Sequence, residues 1–313
     1  MPFGVENLKQ VITKLVKEEL KYEDTILIGD NSSGKSELLR RLIDELRKSQ
    51  SVYFIDAVNR NFSVQAISRT EKVPVYTEYI INTRLNEEHF NIKDSFNCYG
   101  TSTERIEIIY NLFEAELQNM FGELVGKTFE LLPDAKTGEV KFVEGEGLLS
   151  SGYQALIRIL LELLYCRKTM EEASEKVWII IDELDEFLSP RYAGKICGFL
   201  KKKFPEFRFV VTTHSCDLVA NASDANLIVL TPDNFEVWDV NDYDSNSSVQ
   251  IIFDRVFGIE EQNTDHNFNL LRNLLSKRIN GAWSEMEEEQ FDAIDVAKLT
   301  ASQALIHKQI REW

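Results

Sequence analysis

The chain has 313 residues and a formal net charge of −17, because 52 acidic residues outnumber 35 basic ones. This acidic balance disfavours nucleic acid and anionic membranes as main partners, although a local basic patch stays compatible with it. The 43% hydrophobic content is enough to build one large or two medium domains. The N-terminus lacks a signal-peptide pattern, and every apolar run is too short to span a bilayer. The chain has four cysteines, and none of them shows zinc-ligand spacing: Cys98, Cys166, Cys197 and Cys216. We therefore expect reduced thiols in a cytoplasmic protein.

The first part of the chain contains the most informative motif. Residues 5–20 carry apolar side chains at i, i+3 and i+4 spacing, which predicts an amphipathic helix. The apolar run 25–28 predicts a short buried strand, and residues 29–36 follow it directly with the pattern G-x-x-x-x-G-K-S. A helix with leucines on one face begins at Ser36. This strand–loop–helix context favours a phosphate-binding P-loop over an ordinary Gly/Ser/Asn turn.

The residues of this loop have distinct chemical tasks. Its glycines let successive backbone N–H groups face a phosphate, and the N-terminus of the following helix favours anions. Lys35 is predicted to reach the β- and γ-phosphates, and the Ser36 hydroxyl to ligate Mg²⁺. The predicted nucleotide-binding residues are therefore Gly29, Asp30, Asn31, Ser32, Ser33, Gly34, Lys35 and Ser36.

The middle of the chain departs from a simple alternation of strands and helices. Short strands are predicted at 52–55 and 76–82, and a long amphipathic helix at 103–126. Two apolar segments around a turn-rich stretch then predict a hairpin within 129–143. We expect the helix and hairpin to form an insert spanning about residues 84–147.

The second half of the chain returns to alternating elements. A strongly apolar helix is predicted at 153–166, and buried strands at 177–181 and 207–213 flank a helix at 192–203. One or two further strands fall within 225–240. Continuous apolar strands that alternate with helices predict an α/β fold with a mostly parallel sheet covered on both faces.

The domain boundaries follow from a polar stretch near the end of this pattern. Residues 241–248 are the best linker candidate, and the chain reads helical beyond them. We therefore expect one domain over residues 1–240 and a C-terminal helical region over 247–313.

A second candidate anion site lies after the hairpin. The residues Ser150-Ser151-Gly152-Tyr153-Gln154 open the apolar helix, so backbone N–H groups are exposed at its start. Taken alone, a Ser-Ser-Gly turn is usually just a helix cap.

Two buried strands end in polar residues. Asp182 and Glu183 follow the first strand, where Asp182 would hold Mg²⁺ and Glu183 would activate the attacking water as general base. His214 follows the second strand, where it could bond a γ-phosphate oxygen, although a lone histidine at a strand end is more often structural. The acids at 185–186 could equally face a partner subunit or be helix-start charges.

Four segments in this order, GDNSSGKS, LLSSGYQ, IIIDELDEFLSP and VVTTHS, resemble the ABC-type P-loop ATPases. More narrowly, they are similar to the soluble branch that includes SMC, RecF and the ATPase domain of OLD-family nucleases. The resemblance covers residues 25 to about 230. It implies an ABC-like sheet, ATP as substrate with Mg²⁺, and a head-to-tail assembly with ATP between two copies.

The resemblance also implies roles for single residues. Glu183 would be the catalytic base, His214 the switch histidine, and Lys35 the phosphate-binding lysine. A glutamine contact to the nucleotide is assigned to Gln65. The signature that completes the site of another copy would consist of Ser150, Ser151, Gly152 and Gln154.

The chain also departs from the family pattern. A helix replaces the antiparallel strands that usually precede the P-loop. The family pattern therefore assigns no residue to the adenine contact, and Tyr22 is a candidate for it. The signature reads SSGYQ. The sequence shows neither the long heptad arms of SMC proteins nor a convincing acidic cluster of the nuclease type.

These features support two functional hypotheses. The first is a stand-alone ATP-binding and hydrolysing switch that assembles with itself and controls a protein effector, such as a nuclease or toxin, in bacterial anti-phage defence. The alternative is a RecF- or SMC-like ATPase of DNA repair or chromosome maintenance, which would need a basic face.

Overall fold

The computed structural model describes most of the chain in two compact units, which comprise residues 1–252 and 253–313. In the first unit the described residues are 5–31, 33–57, 67, 106–132, 139–142, 150–170, 176–231, 234–242, 249–250 and 252. In the second they are 253, 256, 270–271, 274–275, 277–278, 283–296, 299 and 301–312.

A six-stranded sheet organises the first unit. Its strands are β1 (Asp24–Gly29), β2 (Val52–Asp56), β5 (Val177–Asp182), β6 (Phe207–Thr212), β7 (Ala225–Leu230) and β8 (Phe235–Asp239). They lie in the order β2-β5-β6-β1-β7-β8, and all neighbours are parallel except β7 and β8. This confirms the predicted α/β fold with a mostly parallel sheet. The acidic strand β5 is separated from the P-loop strand β1 by β6.

Helices cover both faces of the sheet. They are α1 (Val5–Val16), α2 (Lys35–Leu46), α4 (Ser151–Thr169), α5 (Pro190–Lys203) and the short α6 (Cys216–Ala220). Apolar residues of α1 and α2 pack on one face, against strand residues such as Leu27, Phe54 and Ile180. Alternate strand residues such as Ile26, Tyr53 and Ile179 are buried as well. Because successive strand side chains point to opposite faces, the sheet is buried on both sides.

Between β2 and α4 the chain forms a 3₁₀ turn at Ile106–Ile109, α3 (Tyr110–Val125) and a separate hairpin. The hairpin strands β3 (Phe129–Leu132) and β4 (Glu139–Phe142) pair antiparallel. The Phe121 ring of α3 packs edge-on against the first hairpin residue, Phe129, with ring centroids 4.9 Å apart. The strand predicted at 76–82 lies outside the described residues.

The second unit has a small core of its own. Its helices are α7 (Glu285–Asp292) and α8 (Ala301–Glu312), and Leu271, Leu274, Phe291 and Ile310 are buried together. A capping box formed by Ser284 and Glu287 begins α7. None of the helices described in either unit is long and apolar enough to cross a bilayer.

Candidate functional site

The P-loop connects β1 to α2 and is wound tightly. Gly34 lies at φ +91°, a left-handed conformation that glycine adopts without a steric penalty, and it caps α2 through its carbonyl, 2.8 Å from the Leu38 nitrogen. The Ser33 nitrogen donates to the Asp30 carbonyl at 3.1 Å, and the Asn31 nitrogen to the Asp30 carboxylate at 2.7 Å. The buried Ser33 hydroxyl has no hydrogen-bond partner among the described residues. The loop therefore has the fold of a phosphate cradle, with an unsatisfied donor inside it.

Lys35 lies inside the curl of this loop. Its ammonium donates to the carbonyl oxygens of Gly29, at 2.7 Å, and Asp30, at 3.2 Å. Burial lowers the pKa of Lys35, while the charges of Asp182 and Glu183 oppose that shift. The positive charge of the P-loop thus lies within electrostatic reach of the acids that end β5.

The end of β5 is fixed by a hydroxyl from the neighbouring strand. Thr212, the last residue of β6, donates its Oγ1 hydrogen to Asp182 Oδ1 at 2.7 Å. The same oxygen accepts the backbone N–H of Glu183 at 2.7 Å. Both Asp182 and Thr212 are buried. Thr212 was not predicted as a site residue, because a threonine near the end of a buried strand looks like any other β-branched strand residue.

Glu183 has an unusual backbone and an unusual acidity. Its φ is +55°, in the left-handed region that favours glycine. Burial, followed by the charges of Asp182 and Glu186, raises the pKa of Glu183 to about 7. Asp56, buried at the end of β2 in register with Asp182, adds to the same shift and was also missed by the sequence reading. Perturbed carboxylates of this kind are concentrated at functional sites.

His214 lies two residues beyond the end of β6. Burial and the nearby Lys35 charge lower the pKa of His214, which keeps the imidazole neutral at pH 7. The carboxylate of Asp185 accepts hydrogen bonds from the Thr213 side chain and the His214 backbone, which oppose the rise that burial causes in the pKa of Asp185. The segment after Asp182 is thereby tied to the histidine turn.

The signature residues begin α4 and contact the same acidic segment. Ser150 is the N-cap, and its carbonyl accepts from the Gln154 nitrogen at 3.1 Å. A Cβ on Gly152 would lie 2.3 Å from the carbonyl oxygen of Phe187, so only glycine fits here. Ser150, Ser151 and Gly152 line a groove of about 200 Å³ together with residues 187–189 and two tyrosines, Tyr153 and Tyr192.

The remaining candidate residues are either outside the described part of the chain or far from the P-loop. Ser32 and Gln65 lie outside the described residues. Tyr22 precedes β1 and therefore lies at the amino edge of the sheet, where its hydroxyl donates to Asp239 at 3.0 Å. The P-loop lies at the carboxyl edge, roughly 20 Å away along an extended strand. The prediction that Tyr22 contacts adenine is therefore wrong.

Strand order and motif order together define the class of this protein. A P-loop joins β1 to α2, the TTHS strand lies between the P-loop strand and the acidic strand, and a serine-glycine signature opens α4. The chain has the fold and motifs of an ABC-type P-loop ATPase.

Comparison with known proteins gives a more particular likeness. No protein-family model matches the chain. The chain is 30% identical over 155 residues to the Septu protein PtuA of Bacillus thuringiensis, over 47% of this chain and 34% of the relative. A Septu protein PtuA of Bacillus mycoides (strain KBAB4) is 32% identical over 83 residues, which are 26% of this chain and 12% of that relative. The chain thus spans about a third of the length of the first of these curated relatives and about an eighth of the second.

Solved structures give more distant likenesses. An SMC ATPase, studied for its ATP-driven dimerization and DNA-stimulated activation, is 17% identical with a TM-score of 0.33, over 49% of this chain and 97% of its own. CbiO1 of Clostridium perfringens, part of the ABC transporter complex cbiONQ, is 18% identical with a TM-score of 0.36, over 75% of this chain and 84% of its own. At these TM-scores the likenesses support no functional conclusion.

Proposed function

We propose that the chain is an ATP-binding and hydrolysing switch that assembles head to tail, with ATP between copies. The observation that supports this most directly is the electrostatic cluster at the carboxyl edge of the sheet. Burial is the main cause of the pKa shifts of Lys35, Glu183 and His214 there. The Lys35 charge also acts on Glu183 and His214, and the Asp182 charge acts on Lys35 and Glu183. Ligands of open α/β sheets bind at this edge.

Each residue of the cluster has a task in this proposal. Lys35 and the N–H groups of the P-loop bind the phosphates, and Glu183 accepts a proton from the attacking water. His214, neutral at pH 7, can donate one hydrogen bond to a γ-phosphate oxygen. Ser36 and Asp182 offer the oxygen ligands that Mg²⁺ prefers, and they would hold this ion. When bound, Mg²⁺ neutralises phosphate charge.

The signature suits a site that is completed by another copy. Its groove is lined in part by serines and lies at the N-terminus of the 19-residue helix α4. Such a helix start favours a phosphate. In the proposed assembly, Ser150, Ser151, Gly152 and Gln154 of one copy face the γ-phosphate held by the P-loop of the next copy.

The biological role is proposed from the sequence resemblance and from the likeness to Septu protein PtuA. The switch would act in the cytoplasm, in anti-phage defence, and ATP binding or hydrolysis would release or activate a protein effector such as a nuclease or toxin. An acidic chain suits a protein partner better than nucleic acid.

The DNA-repair alternative is disfavoured by the pairing of the basic runs. These are Lys201–Lys203 and Arg40–Arg41, and both pair with acids of the same unit. Glu37 binds both arginines, at 2.8 and 2.5 Å, and Glu123 binds the last two lysines. Charges that are already paired offer little attraction to a phosphate backbone. Salt-sensitive binding of duplex DNA would restore this alternative.

Substitution of the proposed base tests the function. Glu183→Gln keeps the shape of the side chain but cannot accept a proton, so turnover should fall on the order of 10²–10⁴-fold. The variant should accumulate as an ATP-bound dimer or larger assembly, followed by light scattering with and without ATP·Mg²⁺.

Glu186→Gln is the matched control, because Glu186 is an exposed acid of the same segment. Because the Glu186 charge contributes to the raised pKa of Glu183, the control is assayed well above pH 7, where Glu183 is ionised in both proteins. There it should keep turnover and assemble only transiently. Equal turnover in Glu183→Gln and the parent protein would remove the assignment of the base. If both variants stayed monomeric with ATP, the proposal of a head-to-tail assembly would be contradicted.

A further inference from the structure

One buried hydroxyl joins the two acids at the end of β5. Thr212 Oγ1 lies 2.7 Å from Asp182 Oδ1 and 2.7 Å from the backbone nitrogen of Glu183. The side chain has no exposed surface, so water does not compete for either bond. Thr212 comes from β6, the strand between the P-loop strand and the acidic strand.

The direction of these hydrogen bonds is determined by their chemistry. The Glu183 nitrogen is a donor, so Thr212 Oγ1 must act as its acceptor. A hydroxyl has a single hydrogen, and that hydrogen therefore points to Asp182 Oδ1. Bonds that run in one direction through a shared hydroxyl strengthen each other, most of all in a buried site.

The backbone at Glu183 needs such support. Its φ of +55° lies where L side chains rarely occur, and such a conformation persists only where the surrounding structure imposes it. Two bonds from β6 impose it. One is the hydroxyl bond to the Glu183 nitrogen, and the other joins the Thr212 carbonyl to the Leu184 nitrogen at 3.1 Å.

We propose that Thr212 is a positioning residue for hydrolysis, whose hydroxyl aligns the Asp182 carboxylate and the Glu183 backbone at the same time. The inference rests on the proposed function, because it assigns Asp182 and Glu183 to that chemistry. Loss of the hydroxyl misplaces both acids but leaves the P-loop, which binds the phosphates, intact.

Replacement of Thr212 by Val and by Ser tests this role. Thr212→Val keeps the shape and removes the hydroxyl, and it should lower kcat on the order of 10²-fold, as a misplaced catalytic group does. The Mg²⁺ concentration for half-maximal turnover should rise, while ATP affinity measured in EDTA stays unchanged. Thr212→Ser keeps the hydroxyl and should restore most of the turnover.

Thr25→Val is the matched control. Thr25 is a buried threonine of β1 at the opposite edge of the sheet, where its hydroxyl lies 3.3 Å from the Asn226 amide. Its replacement should lower Tm and leave kcat and the Mg²⁺ requirement unchanged. If Thr212→Val behaved in the same way, or if Thr212→Ser were as slow as Thr212→Val, the positioning role would be overturned.

Two further variants, Thr212→Cys and Glu183→Gln, separate the role of Thr212 from a folding defect and from the proposed function. If Thr212→Val does not fold, Thr212→Cys replaces it, because a thiol of similar size is a weak donor. Its kcat should then lie between those of the Ser variant and Glu183→Gln, and a kcat equal to the parent's would contradict the proposal. Glu183→Gln tests the proposed function separately, since full turnover in that variant refutes the function whatever Thr212 does.

Discussion

The two edges of the sheet are both rich in polar residues, yet they use them in opposite ways. At the amino edge, charges and amides satisfy one another. Lys21 binds Asp239 at 2.6 Å, which lowers the pKa of Asp239 and raises that of Lys21. The Asn226 amide donates to the carbonyl oxygens of Tyr22, at 2.8 Å, and Asp24, at 3.0 Å.

At the carboxyl edge the ionisable groups are moved away from their ordinary acidities. Burial lowers the pKa of Lys35, and burial raises that of Glu183 to about 7. Lys35 is hydrogen-bonded to backbone carbonyls, where Lys21 has a carboxylate. At the amino edge the shifts favour the charged forms, whereas at the carboxyl edge burial shifts the pKa values toward the neutral forms. The difference teaches that a mutually neutralised edge stabilises the fold, whereas an edge whose charges are incompletely compensated is suited to bind a charged ligand.

Lysine replacement at the two edges should give the largest contrast. Lys35→Ala removes a buried charge from the phosphate cradle, and ATP affinity should fall on the order of 10²-fold. The free energy of unfolding should change little, because burial of the ammonium already costs desolvation energy. Lys21→Ala should leave ATP affinity unchanged. Isothermal titration calorimetry and urea denaturation measure both quantities, and similar affinities in the two variants would abolish the distinction.

Two glycine replacements test whether the acidic segment is coupled to the signature. Gly152→Ala forces a Cβ against the Phe187 carbonyl, 2.3 Å away, so the segment after Asp182 must shift. Turnover should fall on the order of 10²-fold with unchanged ATP affinity. Gly198→Ala in α5 meets nothing within 4 Å and should be neutral in both measurements. Equal turnover in the two variants would show that the contact does not transmit the shift.

Loss of an amide at the amino edge should affect stability alone. Asn226→Ala leaves the part-buried carbonyls of Tyr22 and Asp24 with fewer donors, which should cost about 1 kcal/mol of unfolding free energy. Turnover per folded molecule should match the parent protein. A variant with intact stability and lowered turnover would contradict the structural role of this edge.

The pH dependence of turnover should report the acidity of Glu183. A base must be ionised to act, and the pKa of Glu183 is about 7, so the rate should rise with pH through about 7. Well below that value, the rate should fall about tenfold for each pH unit. Initial rates across this range measure the profile, and a rate that is flat below pH 7 would argue against Glu183 as the base.

The placement of the candidate residues at one edge of the sheet could be predicted from the sequence, for a simple reason. Asp182, Glu183 and His214 follow buried parallel strands, and the carboxyl ends of such strands share one edge. The same rule shows why Tyr22 was wrong: a residue that precedes β1 lies at the opposite edge, however close to the P-loop it is in sequence.

Other features depend on contacts that no local pattern records. The place of β6 between β1 and β5 follows from long-range pairing, so the contact of Thr212 with the acids could not be predicted. The contribution of Asp56 depends likewise on the pairing of β2 with β5. The left-handed backbone of Glu183 is imposed by these neighbours, since glutamate has no preference for it.

The close approach of Gly152 to Phe187 has a consequence for timing. Phe187 is five positions after Asp182, so the segment between the acids and the signature is short. If the Gly152–Phe187 contact transmits movement, a displacement of the acids would reach the start of α4 within the same copy. In the proposed assembly, each copy would then report the state of its own nucleotide to the neighbour whose site it completes, and hydrolysis at neighbouring sites would be coupled.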